Sequence, residues 1–338
     1  MSSRSTASRI LKSLAIVYGA TCVVGGVVLA EILIRLDRLP VGDSSLERER
    51  FRRRFKASLE DVTLTAADGV VLRGWFIAPA NANGKSVILL HGITSNRTGS
   101  TPYADMFLDP GYSVLVPDSR EHGESGGEIA TYGILERHDV NLWVAWLRQR
   151  VPGCTFLLGE SMGAAIGLQA TAVTPGISAI VVEAPYANFR QISYERLGRR
   201  TGLGQLFWET LGRPILEAAF VYTRLRYGIY LPDSDPKLAI QHSTTPTLLI
   251  AGKNDVDIPM HHSQELAEAC NGHCNLWIVP GGQHADAATF APEEFETRVL
   301  DWFDQHATYP AAASASANLP AAIHTASTAQ TAHAPAGL

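Results

Sequence analysis

Apolar positions fall into three regimes along the chain. From Ser13 to Ala30, eighteen successive residues carry no charge (SLAIVYGATCVVGGVVLA), and Ile32, Leu33 and Ile34 extend the run past Glu31. A helix of about 20 apolar residues crosses a bilayer core, so residues 13–34 are predicted as a transmembrane helix or signal anchor. From 57 to 306 short apolar runs alternate with amphipathic stretches. From 307 to 338 the chain is Ala, Ser, Thr and Pro with almost no large apolar residue, which cannot offset the entropy of ordering. That segment is predicted as a disordered tail.

The middle regime reads as one alternating β/α domain, residues 57–306. Two strand-like runs flank Ala67-Asp68-Gly69, a hairpin signal. Continuous apolar runs follow at 86–91 (SVILLH), 112–118 (YSVLVPD), 155–159 (TFLLG), 178–185 (SAIVVEAP), 245–252 (TPTLLIAG) and 274–281 (CNLWIVPG). Buried runs of this kind, separated by helices, imply a largely parallel sheet covered on both faces. Leu135, Val140, Trp143, Val144 and Leu147 recur at helical spacing, and 260–270 and 292–306 are similarly amphipathic. Between Pro185 and Thr245 the rhythm breaks. That interval is too long for a plain loop and too aromatic for disorder. It is predicted to form a small helical cap, about 186–240, over the carboxyl edge of the sheet.

The flanks of the apolar helix are basic. Residues 1–12 form a basic tail and 35–56 a basic juxtamembrane linker running through Arg50, Arg52, Arg53 and Arg54. Cationic residues after the span favour a cytoplasmic domain, whereas a basic tail before it is that of an ordinary export signal, so the side of the membrane stays open. Val28-Leu29-Ala30 is a passable cleavage site. The run continues beyond that site and is long for a signal peptide, so an uncleaved anchor is expected.

Net charge is −5 without long acidic blocks, and the one basic run is short, which argues against nucleic acid as a partner. Four cysteines do not make a disulfide framework in a chain of 338 residues. Cys270 and Cys274 could pair, or join His273 on a metal; two free thiols near a helix end are expected.

In open α/β sheets the functional crevice lies beyond the carboxyl ends of the strands. The residues just past those ends here are His91-Gly92-Ile93, Asp118, Ser161, Asp255 and His284. Ser161 lies in Gly159-Glu160-Ser161-Met162-Gly163, between a strand and a helix. A turn that sharp exposes the hydroxyl at a helix N-terminus, whose N–H groups favour developing negative charge. A serine hydroxyl needs a base. His284, in VPGGQHAD, alone among the eleven histidines has both the position after a strand and the Gly-Gly context. Asp255 is expected to orient it, with Asp257 the rival. The backbone N–H groups of Met162 and Ile93 are the expected oxyanion donors.

With "HGITSNR", "GYSVLVPDSREHGESGG", "GESMGAA" and "GKNDVDIP…GGQH" in place, the chain resembles the α/β-hydrolase superfamily over residues 57–306. Within it, the chain resembles small membrane-anchored serine hydrolases and the serine-aminopeptidase-like group. The resemblance implies an eight-stranded, mostly parallel sheet flanked by helices, a triad in the order Ser161, Asp255, His284, and no metal or organic cofactor. One departure is Glu121, where many relatives carry the first glycine of Asp-x-Arg-Gly-His-Gly. The cap matches no specific subfamily.

An aromatic cap beside a membrane anchor suggests a small-molecule or lipid-like ester or thioester with an apolar acyl group. A peptidase would instead need a site for a substrate amine or carboxylate, for which Glu183, Glu195 and Arg196 are the candidates, although surface salt bridging is the expected role of each. A non-catalytic membrane-anchored interaction module would lack a triad member, and none is missing.

Overall fold

The computed structural model describes residues 2–307, so all but the first residue of the expected tail lies outside the described residues. In chain order the elements are α1 (Ser2–Ile34), α2 (Ser44–Phe55), β1 (Ser58–Thr65), β2 (Val71–Ala78), β3 (Ser86–Leu90), α3 (Arg97–Leu108), β4 (Ser113–Pro117), α4 (Glu136–Arg150), β5 (Thr155–Glu160), α5 (Met162–Thr171) and β6 (Ile177–Glu183). Then come α6 (Phe189–Thr201), α7 (Gln205–Glu209), α8 (Arg213–Tyr227), α9 (Pro236–Gln241), β7 (Thr247–Gly252), α10 (His261–Ala269), β8 (Cys274–Val279), α11 (Ala287–Phe290) and α12 (Pro292–Gln305).

The strands form one eight-stranded sheet in the order β1-β2-β4-β3-β5-β6-β7-β8. The β1–β2 hairpin is antiparallel, as is β2 against β4; every other pairing is parallel. Alternate residues of a strand face opposite sides, so the continuous apolar runs divide between two cores. Ile88, Leu90, Leu157 and Leu249 join the core made with α4 and α5. Val87, Leu89, Phe156, Leu158, Leu248 and Ile250 join the core made with α2, α3 and α12. A sheet covered on both faces needs apolar side chains at every position, which is why its central strands show no polar alternation.

Residues 44–55, read from the sequence as linker, form α2. The Asp43 side chain accepts the Ser45 N–H at the N-cap, Glu49 and Arg52 pair along the exposed side, and Arg50 bridges Glu47 and Asp105. Phe51 and Phe55, four apart, bury one face. The arginine-rich composition masks that two-residue stripe.

The segment between α1 and α2 is bound to the domain as well. Arg38 Nη1 donates to the Ser125 carbonyl at 2.6 Å and Nη2 to Glu121 Oε2 at 2.9 Å. Glu121 has φ of 64°, a region that favours glycine, at the position where the sequence departs from glycine. The ion pair to Arg38 is what its side chain adds there.

Helix α1 contains the one stretch long and apolar enough to cross a membrane among the described residues, Ala7–Ile34, within which an 18-residue window has mean hydropathy 2.1. Its second half lies along α8. A Cβ at Gly26 would stand 2.6 Å from Ala218 Cβ and 2.8 Å from the Ile215 carbonyl, so glycine allows the helices to touch. Tyr18 donates to the Leu211 carbonyl at 2.6 Å, and Glu31 accepts from Tyr222 and Tyr227, each at 2.7 Å. Cys22, Ala30 and Ile34 are buried, while Ile10, Leu11, Leu14, Ile16 and Val17 are exposed.

Cys270 and Cys274 differ from the expected free thiols: they form a disulfide between the end of α10 and the start of β8. The strand brings Cys274 back beside the helix end, a closure that four-residue spacing alone does not reveal. Cys22 and Cys154 are free and buried.

Candidate active site

Ser161 stands between β5 and α5 with φ 51° and ψ −112°. A non-glycine residue in this region costs about 1–3 kcal/mol and persists where its surroundings hold it. Here the Ser161 N–H donates to the Glu183 carbonyl of β6 at 2.8 Å. A Cβ at Gly159 would lie 2.6 Å from the Gly163 carbonyl, and one at Gly163 would collide with the Leu90 carbonyl at the end of β3. Both glycines are therefore required for the helix to start so close to the sheet.

The expected partners come together at this turn. His284 Nε2 lies 3.0 Å from Ser161 Oγ, and His284 Nδ1 lies 2.8 Å from Asp255 Oδ2. An ionised carboxylate only accepts, so Nδ1 carries the proton and Nε2 is left to accept from the hydroxyl. Asp255 is buried, and its Oδ1 accepts the N–H groups of Asp257 and Ile258, each at 2.8 Å. Asp257 does not reach the imidazole. Burial alone would lower the His284 pKa, but the hydrogen bond and charge of Asp255 outweigh it, and the pKa is raised above its ordinary value.

The donors named for an oxyanion, Met162 and Ile93, border one cavity with Ser161. Among the described residues neither backbone N–H has an intramolecular acceptor. Helix α5 leaves the Met162 N–H unpaired because it is the first residue of the helix. The Ile93 N–H is aimed by His91. The His91 Nε2 accepts the Ser119 N–H at 3.0 Å, so Nδ1 carries the proton and donates to the Gly92 carbonyl at 2.8 Å. Fixing that carbonyl fixes the planar peptide and hence the Ile93 N–H on its other side. Burial, then the nearby His122, depresses the His91 pKa to about 3, which keeps the ring neutral for this task.

Glu160, inside the Ser161 turn, is a residue whose task sequence reasoning missed. Its Oε1 accepts the Gly92 N–H at 3.3 Å and its Oε2 accepts from Tyr103 at 3.1 Å. It ties the Ser161 turn to the His91-Gly92-Ile93 loop. Asp118, also at a strand end, is not at the cavity: it is buried, accepting from Arg97 Nη1 at 2.8 Å and from the Glu124 N–H at 2.9 Å.

The cavity holds about 260 Å³. Ile32 and Leu33 at the end of α1, and Leu36 just beyond it, line the cavity together with Phe189 and Ile192 of α6. No periodicity predicted that α1 would line it, because the contact joins segments more than 150 residues apart in the chain, as Leu36 and Phe189 are.

Of the three residues considered for binding a peptide terminus, one alone borders the cavity. Glu183 accepts the Ala287 N–H at 2.8 Å behind the His284 loop, and burial first, then Glu160 and Asp286, push its pKa up to about 7. Glu195 lies 3.1 Å from His261 Nε2 and 3.2 Å from His262 Nε2. Arg196 lines the cavity. The Glu195–His261–His262 group has the residue types of a metal site. However, His262 Nδ1 accepts the Ala187 N–H at 3.2 Å, which leaves the proton of the neutral ring on Nε2, facing Glu195. These contacts are those of a hydrogen-bonded core group.

The sheet order, with a serine on a strand-to-helix turn and a histidine after the last strand, defines an α/β-hydrolase-fold protein. Comparison agrees: residues 87–298 match the alpha/beta hydrolase family, and the chain belongs to it. It is 31% identical over 246 residues to the uncharacterized protein YqkD of Bacillus subtilis, covering 71% of this chain and 78% of that one. It is 27% identical over 237 residues to the uncharacterized protein YfhR of Escherichia coli K12, covering 68% and 75%. Among solved structures, it is similar to the Pyrococcus furiosus esterase Pf2001 with TM-score 0.64 and 24% identity, covering 82% of this chain and 99% of that one. The Exiguobacterium antarcticum esterase EaEST gives TM-score 0.54 at 18% identity, covering 72% and 100%. The two structural likenesses speak to the fold.

Proposed function

We propose that the chain is a serine hydrolase cleaving a carboxylic ester or thioester with an apolar acyl group, through an acyl-enzyme. His284 Nε2 takes the Ser161 proton as Oγ attacks the carbonyl carbon. The resulting oxyanion is held by the Met162 and Ile93 N–H groups, each worth on the order of 3 kcal/mol in such sites. As the tetrahedral intermediate collapses, His284 gives the proton to the leaving oxygen or sulfur. Water, deprotonated by the same imidazole, then releases the acid and restores Ser161. Asp255 keeps the proton on Nδ1 and stabilises the imidazolium. The observation that carries this reading is the unbroken relay from Asp255 through His284 to Ser161.

The apolar wall formed by Ile32, Leu33, Phe189 and Ile192 supports an aliphatic acyl group. The peptidase reading is weaker, because Glu183 and Glu195 are engaged away from the cavity. The test is hydrolysis of 4-nitrophenyl esters of two to twelve acyl carbons beside aminoacyl-naphthylamides. Turnover of esters with a preference above acetate is expected; turnover of the amides alone would overturn the ester assignment.

We also propose that α1 is retained as an anchor, with residues 186–240 as the cap of the 57–306 domain. Cleavage after Ala30 would remove Gly26 from its contact with α8 and Tyr18 from the Leu211 carbonyl, and leave Ile32 at a new chain end. The α1–α8 contact therefore favours the intact chain. Fractionation of the full chain with membranes, and its release on deletion of residues 1–30, is the corresponding check.

A further inference from the structure

Arg196 is out of keeping with the cavity it borders. It projects from α6 among Ile32, Leu33, Phe189 and Ile192, in the same cavity as Ser161. A charge sheltered by apolar walls is costly unless it is paired. Arg97 and Arg120, which are buried, each rest on a carboxylate, Asp118 and Asp139 respectively, and the half-buried Arg190 rests on Glu217. Among the described residues the half-buried Arg196 has no ion pair and no side-chain hydrogen bond, and neither does the exposed Arg200, one turn further along the same cavity wall.

Burial first, and then the charge of Arg200, lowers the Arg196 pKa from its ordinary value, against the opposing charges of Asp257 and Tyr132. The same guanidinium is close enough to His284 to act against its protonation. Nothing in the fold requires the charge: Arg196 holds no cap, no strand and no loop. Its planar fork belongs to a residue bordering the cavity that contains the serine, and is suited to a carboxylate or phosphate.

We propose that Arg196, backed by Arg200, is a specificity subsite for an anionic group, so that the ester cleaved at Ser161 is an amphiphile carrying a carboxylate or a phosphate. The acyl chain lies on the α1 side of the cavity and the anion sits at the guanidinium. This rests on the hydrolase reading of Ser161, and the test separates the two.

Binding is measured first, by calorimetry on the full-length Ser161→Ala protein in non-ionic micelles. The probes are octyl phosphate, octanoate and 1-octanol. At least one anion is expected to bind roughly tenfold to a hundredfold more tightly than the alcohol, as charge-assisted hydrogen bonds allow. Arg196→Gln should abolish that preference and Arg196→Lys should keep part of it. Which anion binds more tightly identifies the source of the charge. Equal affinity for all three probes, or a preference that survives Arg196→Gln, overturns the proposal. Turnover is measured second, as the ratio of kcat/KM for 4-nitrophenyl hydrogen suberate to that for 4-nitrophenyl octanoate. If octanoate is the tighter anion, the ratio should drop by about tenfold in Arg196→Gln, and an unchanged ratio then counts against the subsite. If neither ester is cleaved by the unmutated protein, the hydrolase reading fails while the binding result still decides the anion subsite.

Discussion

Asp255 Oδ2 lies 2.8 Å from His284 Nδ1, while the other oxygen of the same carboxylate accepts two backbone N–H groups from Asp257 and Ile258. One carboxylate therefore caps its own loop and orients the imidazole. Asp257, two residues on, contributes its N–H to that cap and cannot replace it. Asp255→Asn should lower kcat on a good ester by on the order of 10³–10⁴-fold, because an amide can present N–H where the imidazole needs an acceptor. Asp257→Asn should change it by no more than about tenfold. Comparing kcat for the two variants decides between the neighbouring acids.

The raised His284 pKa fixes the sign of the pH profile. The base works only when neutral, so kcat/KM climbs as pH rises through that pKa, with its midpoint above the ordinary 6.5. Burial opposes the shift and Asp255 drives it. Asp255→Asn should therefore move the midpoint down, even though activity is much lower. A pH profile of kcat/KM for each protein, fitted to one ionisation, checks the direction.

Glu183 makes stability depend on pH in the opposite sense to a paired carboxylate. Its pKa stands at about 7 when folded, against an ordinary 4.5. Between those values the folded chain keeps a proton that the unfolded chain has lost, so this group's contribution falls as pH rises across the interval. At ~1.4 kcal/mol per pH unit the ceiling is ~3 kcal/mol. Glu183→Gln keeps an acceptor for Ala287 without the charge. Its Tm should exceed that of the unmutated protein at pH 8 and match it at pH 4.5, by thermal melts at the two pH values.

Leu33 lies at the end of α1 and on the cavity wall. Leu33→Trp adds bulk where the acyl chain is expected, so the preferred chain length should shorten by several carbons. The acetyl ester should be hydrolysed with kcat/KM within about threefold of the original, since one indole fills part and not all of the 260 Å³. An unchanged chain-length profile would remove α1 from the binding site.

The sheet was legible because its central strands are buried on both faces and read as unbroken apolar runs. The positions of Ser161, Asp255 and His284 were legible because each follows such a run. What was not legible depended on contacts across distance or on side-chain geometry. Helix α2 buries only Phe51 and Phe55, too little apolar pattern to show through its arginines. Asp255 and Asp257 are close rivals in the sequence, and the contact of Asp255 with His284, together with the loop cap, separates them. Glu160 looked idle because its partners, Gly92 and Tyr103, come from other strands and helices. The Cys270–Cys274 disulfide, and the meeting of α1 with α6 at the cavity, depend on how the chain returns on itself.

The central claim is that Ser161 is the nucleophile. A fluorophosphonate probe, which forms a covalent bond with an activated serine, tests it on the full-length protein in membrane fractions. The unmutated protein should be labelled, and Ser161→Ala should lose the label while retaining its circular dichroism and Tm. Equal labelling of the folded Ser161→Ala protein would contradict the account.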